Sequence, residues 1–76
     1  MNIEHMRTFL EVAATANFNS AAERLNVSQS TVSARIRALE EQLDRRLLVR
    51  ARSGAELTAA GRQFQRHALT AVRAWQ

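Results

Sequence analysis

The chain contains no cysteine, no proline, no tyrosine and no lysine, and only two glycines, Gly54 and Gly61, both late in its 76 residues. Without cysteine there is no disulfide framework. The two histidines, His5 and His67, stand far apart without ligand-type neighbours, so no metal site is expected. Without proline or early glycine, little interrupts helix over the first two thirds of the sequence. No apolar run approaches the roughly 18 residues of a membrane span. The opening Asn2, Glu4 and His5 do not follow the charged-then-apolar plan of a secretion signal. Paired carboxylates, a Cys/His or Ser/His/Asp set and a phosphate-cradling glycine loop are all missing. These absences lead to an expected cytoplasmic protein with no catalytic residue, no cofactor and no membrane partner.

What is present is arginine. All eleven basic residues are arginine, against seven acidic residues, for a net charge of +4. A guanidinium fork engages phosphate oxygens or guanine edges in pairs, where an ammonium acts as a point charge, so an anionic partner fits. A genome that favours arginine and alanine codons accounts for the composition as well, and the balance alone does not separate the two. A chain of this size is a single domain at most. Such domains bury only about 60% of their unfolded surface, which makes a stabilising partner chain an expectation.

Helical spacing of Ile3, Met6, Phe9, Leu10 and Ala13 predicts a first helix from Ile3 to Thr15 with that stripe inward. Asn17, Asn19 and Ser20 each can cap a second helix, and Ser20 with Glu23 has capping-box spacing. That helix is short and ends at Leu25. Its Ala21 and Ala22 permit close approach of a neighbour. Asn26 suits the left-handed corner that follows, and Val27 plugs it.

Ser28 is the expected N-cap of a third helix, residues 29–43. At about 100° per residue, Val32, Ile36, Leu39 and Leu43 fall on one line. Ser30, Ala34, Arg37 and Glu41 point the opposite way, flanked by Gln29 and Ser33, with Arg35 toward the other side. An ordinary solvated face carries Glu and Lys; here the N-terminal part holds glutamine and serines instead. Gln29 can pair with adenine, and the serines, with Thr31 beside them, can meet base edges or phosphates near the positive end of the helix. Capping explains Ser28 without any ligand. Further along, Glu40, Glu41, Arg45 and Arg46 read as a solvated, salt-bridged end, with Glu41 and Arg45 in the favoured order.

Between Leu47 and Leu57 the pattern changes to a tight two-stranded ribbon turning around Ser53 and Gly54, with Arg50 and Arg52 alternating onto one face near its tip. Thr58 caps a last helix running to Gln76. Its apolar arc is broad, from Ala60, Phe64, Ala68, Ala71 and Trp75 through Gly61 and Val72 to Leu69. His67, on the edge of that arc, reads as packing or surface.

The ordered combination of AAERL at 21–25, SQ at 28–29, the S-x-x-I-x-x-LE run at 33–40 and LTAAG at 57–61 resembles the LysR-type transcriptional regulators, over essentially the whole chain. The resemblance implies a mainly α fold. It would be a winged helix-turn-helix domain at residues 1–58, with its helix-turn-helix at 18–37, followed by a linker and dimerisation helix at 59–76. It further implies sequence-specific binding of double-stranded DNA, at an imperfect palindromic operator. Gln29, Ser30, Thr31, Ser33, Ala34 and Arg37 of the third helix would lie in the major groove, and the wing arginines Arg50 and Arg52 on phosphate or in the minor groove. A homodimer would pair through Phe64, Ala68, Ala71, Val72 and Trp75, with a tetramer open for a longer protein, and the family's effector-binding domain is expected to be absent from this chain. Three positions depart from the family pattern. Asp44 replaces a glycine after the third helix, Leu48 a common phenylalanine, and Glu56 a frequent basic residue. Ala34, where relatives carry a long polar side chain, could offer only a methyl touch to thymine. The competing expectation is a helical protein-interaction module, with the last helix as its binding face and no DNA specificity.

Overall fold

The computed structural model describes residues 1–75, in the order α1 (Ile3–Thr15), α2 (Phe18–Leu25), α3 (Gln29–Leu43), β1 (Leu48–Ala51), β2 (Gly54–Leu57) and α4 (Ala59–Trp75). This is the expected winged helix-turn-helix. The first three helices and the hairpin lie where the sequence placed them. The Gln76 end expected of the last helix lies outside the described residues.

Each helix begins on a side-chain cap. The Asn2 carboxamide oxygen accepts the Glu4 and His5 N–H groups at 2.7 and 3.2 Å, and Ser28 Oγ accepts from Thr31 N at 3.1 Å. Thr58 Oγ1 accepts from Gly61 N at 2.9 Å. Of the three candidates before α2, Asn17 is the cap, taking the Ser20 N–H at 2.9 Å, so the helix starts at Phe18 and the Ser20–Glu23 capping box is not used. Ala16, Asn26 and Asp44 end α1, α2 and α3 in the left-handed region, with φ of 55, 59 and 54°. Asp44 thus adopts the left-handed geometry that glycine takes most easily. Such a conformation costs a non-glycine residue about 1–2 kcal/mol.

The core has α1 at its centre, in contact with α2, α3, α4 and β2. Phe9, Val12, Val32, Leu39 and Leu47 are fully enclosed. Val32, Ile36 and Leu39 of the expected α3 line are buried, and Leu43 packs against them half-exposed. In α1 the buried stripe is Met6, Phe9 and Val12 together with Thr8, rotated from the expected set, while Ile3, Leu10 and Ala13 lie at its margins. Thr8 is tolerated inside because its hydroxyl is satisfied twice. It donates to Glu4 O at 2.9 Å and accepts from Arg35 Nη1 at 3.2 Å.

The two glycines sit where one backbone presses on another. A Cβ on Gly54, whose φ is +129°, would lie 2.1 Å from the Ala16 carbonyl oxygen, and one on Gly61 would lie 2.1 Å from that of Leu47. The neighbouring amides use this closeness: Ala55 N donates to Ala16 O at 2.8 Å and Thr58 N to Leu47 O at 3.0 Å. These contacts dock the hairpin on the end of α1 and set α4 against the start of β1.

The α4 stripe corrects one expectation. Phe64, Ala68 and Val72, expected at a dimer face, are buried in this chain's own core. The Phe64 ring meets Phe9 edge-on, with centroids 5.4 Å apart. A small domain needs that stripe to cover α1, so it is not free for a second subunit. Ala71 is half-buried, and the exposed large apolar side chains of α4 are Leu69 at 37% and Trp75 at 71%.

Candidate nucleic-acid interface

The helix-turn-helix corner fixes the outward face of α3 from behind. The αL turn at Asn26 carries the chain from α2 into the Ser28 cap, Val32, Ile36 and Leu39 bury the rear of α3, and Arg35 ties its flank to α1. Besides Thr8, Arg35 meets Glu4 across 3.8 Å. Gln29, Ser30, Ala34 and Arg37 are exposed and Ser33 is half-buried. With Arg50 of β1 these five residues line one shallow open groove. The structure therefore assembles six of the eight expected DNA-contacting residues.

Thr31 and Arg52 stand apart from that groove. The Thr31 hydroxyl lies 2.9 Å from Ser28 Oγ, inside the capping network, and Ser30 Oγ touches the same oxygen at 3.2 Å. Arg52 occupies the two-residue turn beyond Ala51, exposed at the tip, whereas Arg50 turns inward toward α2 and α3. The expected alternation of the two arginines onto one face thus becomes a division of position.

Electrostatics divide the surface of α3 in the same way. Gln29, Arg37 and Arg52 side chains form no hydrogen bond or ion pair to protein among the described residues, so their donors remain available. At the other end of the helix, Glu40 accepts the Leu47 and Leu48 N–H groups at 2.8 and 3.3 Å and lies 3.7 Å from Arg46 Nε. The expected Glu41–Arg45 pair does not form among the described residues. Arg45 instead donates to the Asp44 carbonyl at 3.2 Å, and it is Glu40, half-buried, that secures the entry to β1. A second groove, beside the first, runs between this part of α3 and β1, with Arg37 and Arg50 on its wall.

Three contributors escaped the sequence pattern. Phe18 supports Arg50, whose guanidinium carbon lies 4.0 Å from the ring centroid. Thr8 and Glu40 hold α3 and β1 through partners 27 and 7 residues away. Only Glu40 left a local trace, an acidic residue in the last turn of α3, eight residues before the strand start. No group of three or more metal-ligating side chains occurs among the described residues, and no described helix is long and apolar enough to cross a membrane.

Residues 3–62 match the family of bacterial regulatory helix-turn-helix proteins of lysR type. The HTH-type transcriptional regulator HdfR of Escherichia coli is 47% identical over 76 residues, which are 100% of this chain and 27% of that protein. The chain therefore spans about a quarter of the length of this relative. Among solved structures, the DNA complex of the CbnR DNA-binding domain superposes with a TM-score of 0.93 at 38% identity, covering 97% of this chain and 85% of that one. The BenM DNA-binding domain on catB site 1 DNA gives 0.91 at 31% identity, covering 97% and 83%. Full-length CbnR, a LysR family transcriptional regulator, gives 0.94 at 38% identity, with 97% of this chain on 26% of that one.

Proposed function

Because this chain belongs to the lysR family of bacterial regulatory helix-turn-helix proteins, we propose that it is the DNA-reading module of a transcriptional regulator. The observation that carries the reading is the groove shared by Gln29, Ser30, Ser33, Ala34, Arg37 and Arg50, whose exposed donors have a braced helix beneath them. Helix α3 enters the major groove. Gln29 reaches an adenine edge, Ser33 a neighbouring base or phosphate, and Arg37 a phosphate or guanine. The hairpin flanks the site as a wing, with Arg52 at its tip toward phosphate or a narrow minor groove.

Residues 1–58 form the reading unit in this proposal, and α4 both closes its core and leads toward a second subunit. Two copies place two α3 helices in successive major grooves of an imperfect palindrome. Pairing uses the exposed side of α4, Leu69 and Trp75 with the margin at Ala71, a revision that follows from the burial of Phe64, Ala68 and Val72. The protein works in the cytoplasm and catalyses no reaction. The protein-interaction alternative loses ground because the similar solved domains include two bound to DNA.

Selection from a random double-stranded oligonucleotide pool, followed by mobility-shift titration, tests the reading. Recovered duplexes should share a motif and bind at least about a thousandfold tighter than random sequence, the lower end for specific recognition. Recovery of unrelated sequences with equal affinity would leave only non-specific charge attraction.

A further inference from the structure

We infer that Arg50 is a positioning residue that locks the wing to α3 and makes Ser33 present a hydrogen-bond donor to DNA; this rests on the groove being the DNA-contacting surface. Arg50 lies on β1, Phe18 at the start of α2 and Ser33 on α3, so one side chain joins three elements. Its guanidinium carbon is 4.0 Å from the Phe18 ring centroid, and its Nη2 donates to Ser33 Oγ at 3.3 Å. Phe18 itself is buried, which fixes the platform. A delocalised plane can stack on a ring and donate from its edge at once; an ammonium lacks the flat face and the fork.

The consequence falls on Ser33. A hydroxyl has one proton and two acceptor sites, and a guanidinium can only donate. Ser33 therefore accepts from Arg50 and keeps its proton for an outside acceptor. The nearby positive charge further disfavours an approaching donor. Of the major-groove edges, this arrangement favours guanine N7 or O6, adenine N7 and thymine O4 over the amino groups of cytosine and adenine. Arg50 thus acts on base choice through Ser33, while Arg52 at the hairpin tip, without a protein partner among the described residues, supplies plain charge.

The test compares wild type, Arg50→Lys, Ser33→Ala, their double variant and Phe18→Leu. Each is titrated with the tightest duplex from a random pool and with random duplex of equal length. Lysine keeps the charge, so the salt dependence should not change, yet the ratio of selected to random affinity should fall about tenfold, the scale of one charged stacking and hydrogen-bond contact. The double variant should fall no further than Arg50→Lys alone. A wild-type ratio in Arg50→Lys, or additive losses in the double variant, overturns the inference.

A second readout needs no DNA. The Arg50 Nε proton of the free wild-type chain should resonate upfield under the Phe18 ring current and move downfield in Phe18→Leu; an unshifted resonance in wild type overturns the geometry. Should Phe18→Leu lose its helical circular dichroism, the Arg50 and Ser33 cycle decides alone. A wild type without preference for the selected duplex removes the DNA-reading proposal and this inference with it. Preference retained in both wild type and Arg50→Lys removes the inference only.

Discussion

Glu40, toward the C-terminal end of α3, is held by two backbone amides and an arginine, whereas Gln29 and Arg37, earlier on the same helix, have no protein partner among the described residues. The contrast separates polar groups that the fold consumes from polar groups that it leaves available. Both kinds look alike in sequence, where each is simply a hydrophilic residue off the apolar line. A carboxylate accepting two N–H groups at the entry of a strand is part of the scaffold. A carboxamide standing free above a braced helix is surface on which a ligand can act.

The largest effect that would break this contrast is expected at Glu40. Glu40→Ala leaves the Leu47 and Leu48 amides without their acceptor and should lower stability by about 2–3 kcal/mol, read from urea unfolding. A change within experimental scatter would show that Glu40 belongs with the available groups. Gln29→Ala is the opposite case. Stability should move by no more than about 0.5 kcal/mol, while discrimination between selected and random duplex should drop by about 1–2 kcal/mol.

Arg52→Ala comes next in size. It should weaken binding to both duplexes by a similar factor and flatten the dependence of log affinity on log salt by about 0.9, one phosphate contact. A loss confined to the selected duplex would instead put Arg52 among the base-reading residues. The smallest effect is at Asp44, where φ is 54°. Asp44→Gly should raise the unfolding free energy by about 0.5–1 kcal/mol, since relief of left-handed strain exceeds the added chain entropy. DNA affinity should stay unchanged.

Local chemistry made much of this molecule legible in advance. Ser28, Asn26 and Asp44 act within a few residues of where they stand, so caps and corners could be read from the chain, and α3 followed from its apolar line. The inward and outward sides of α3 were legible for the same reason. What escaped were the contacts made across the fold. Val12 and Thr8 enter the core because α1 is surrounded on several sides, which a single-stripe reading does not capture. The docking of the hairpin depends on Ala16 meeting Gly54 and Ala55, about forty residues apart in sequence. The Phe18–Arg50 stack has the same origin, and so has the burial of Phe64, Ala68 and Val72. A broad apolar arc shows that α4 is covered, and only the assembled core shows by what.

The most direct test of the central claim is an amide chemical-shift titration of this chain with the selected duplex. The division of α3 predicts large perturbations over residues 29–37 and in the hairpin at 50–54, with residues 40–43 nearly unmoved. Perturbations centred on 40–48, or spread evenly along α3, would contradict it.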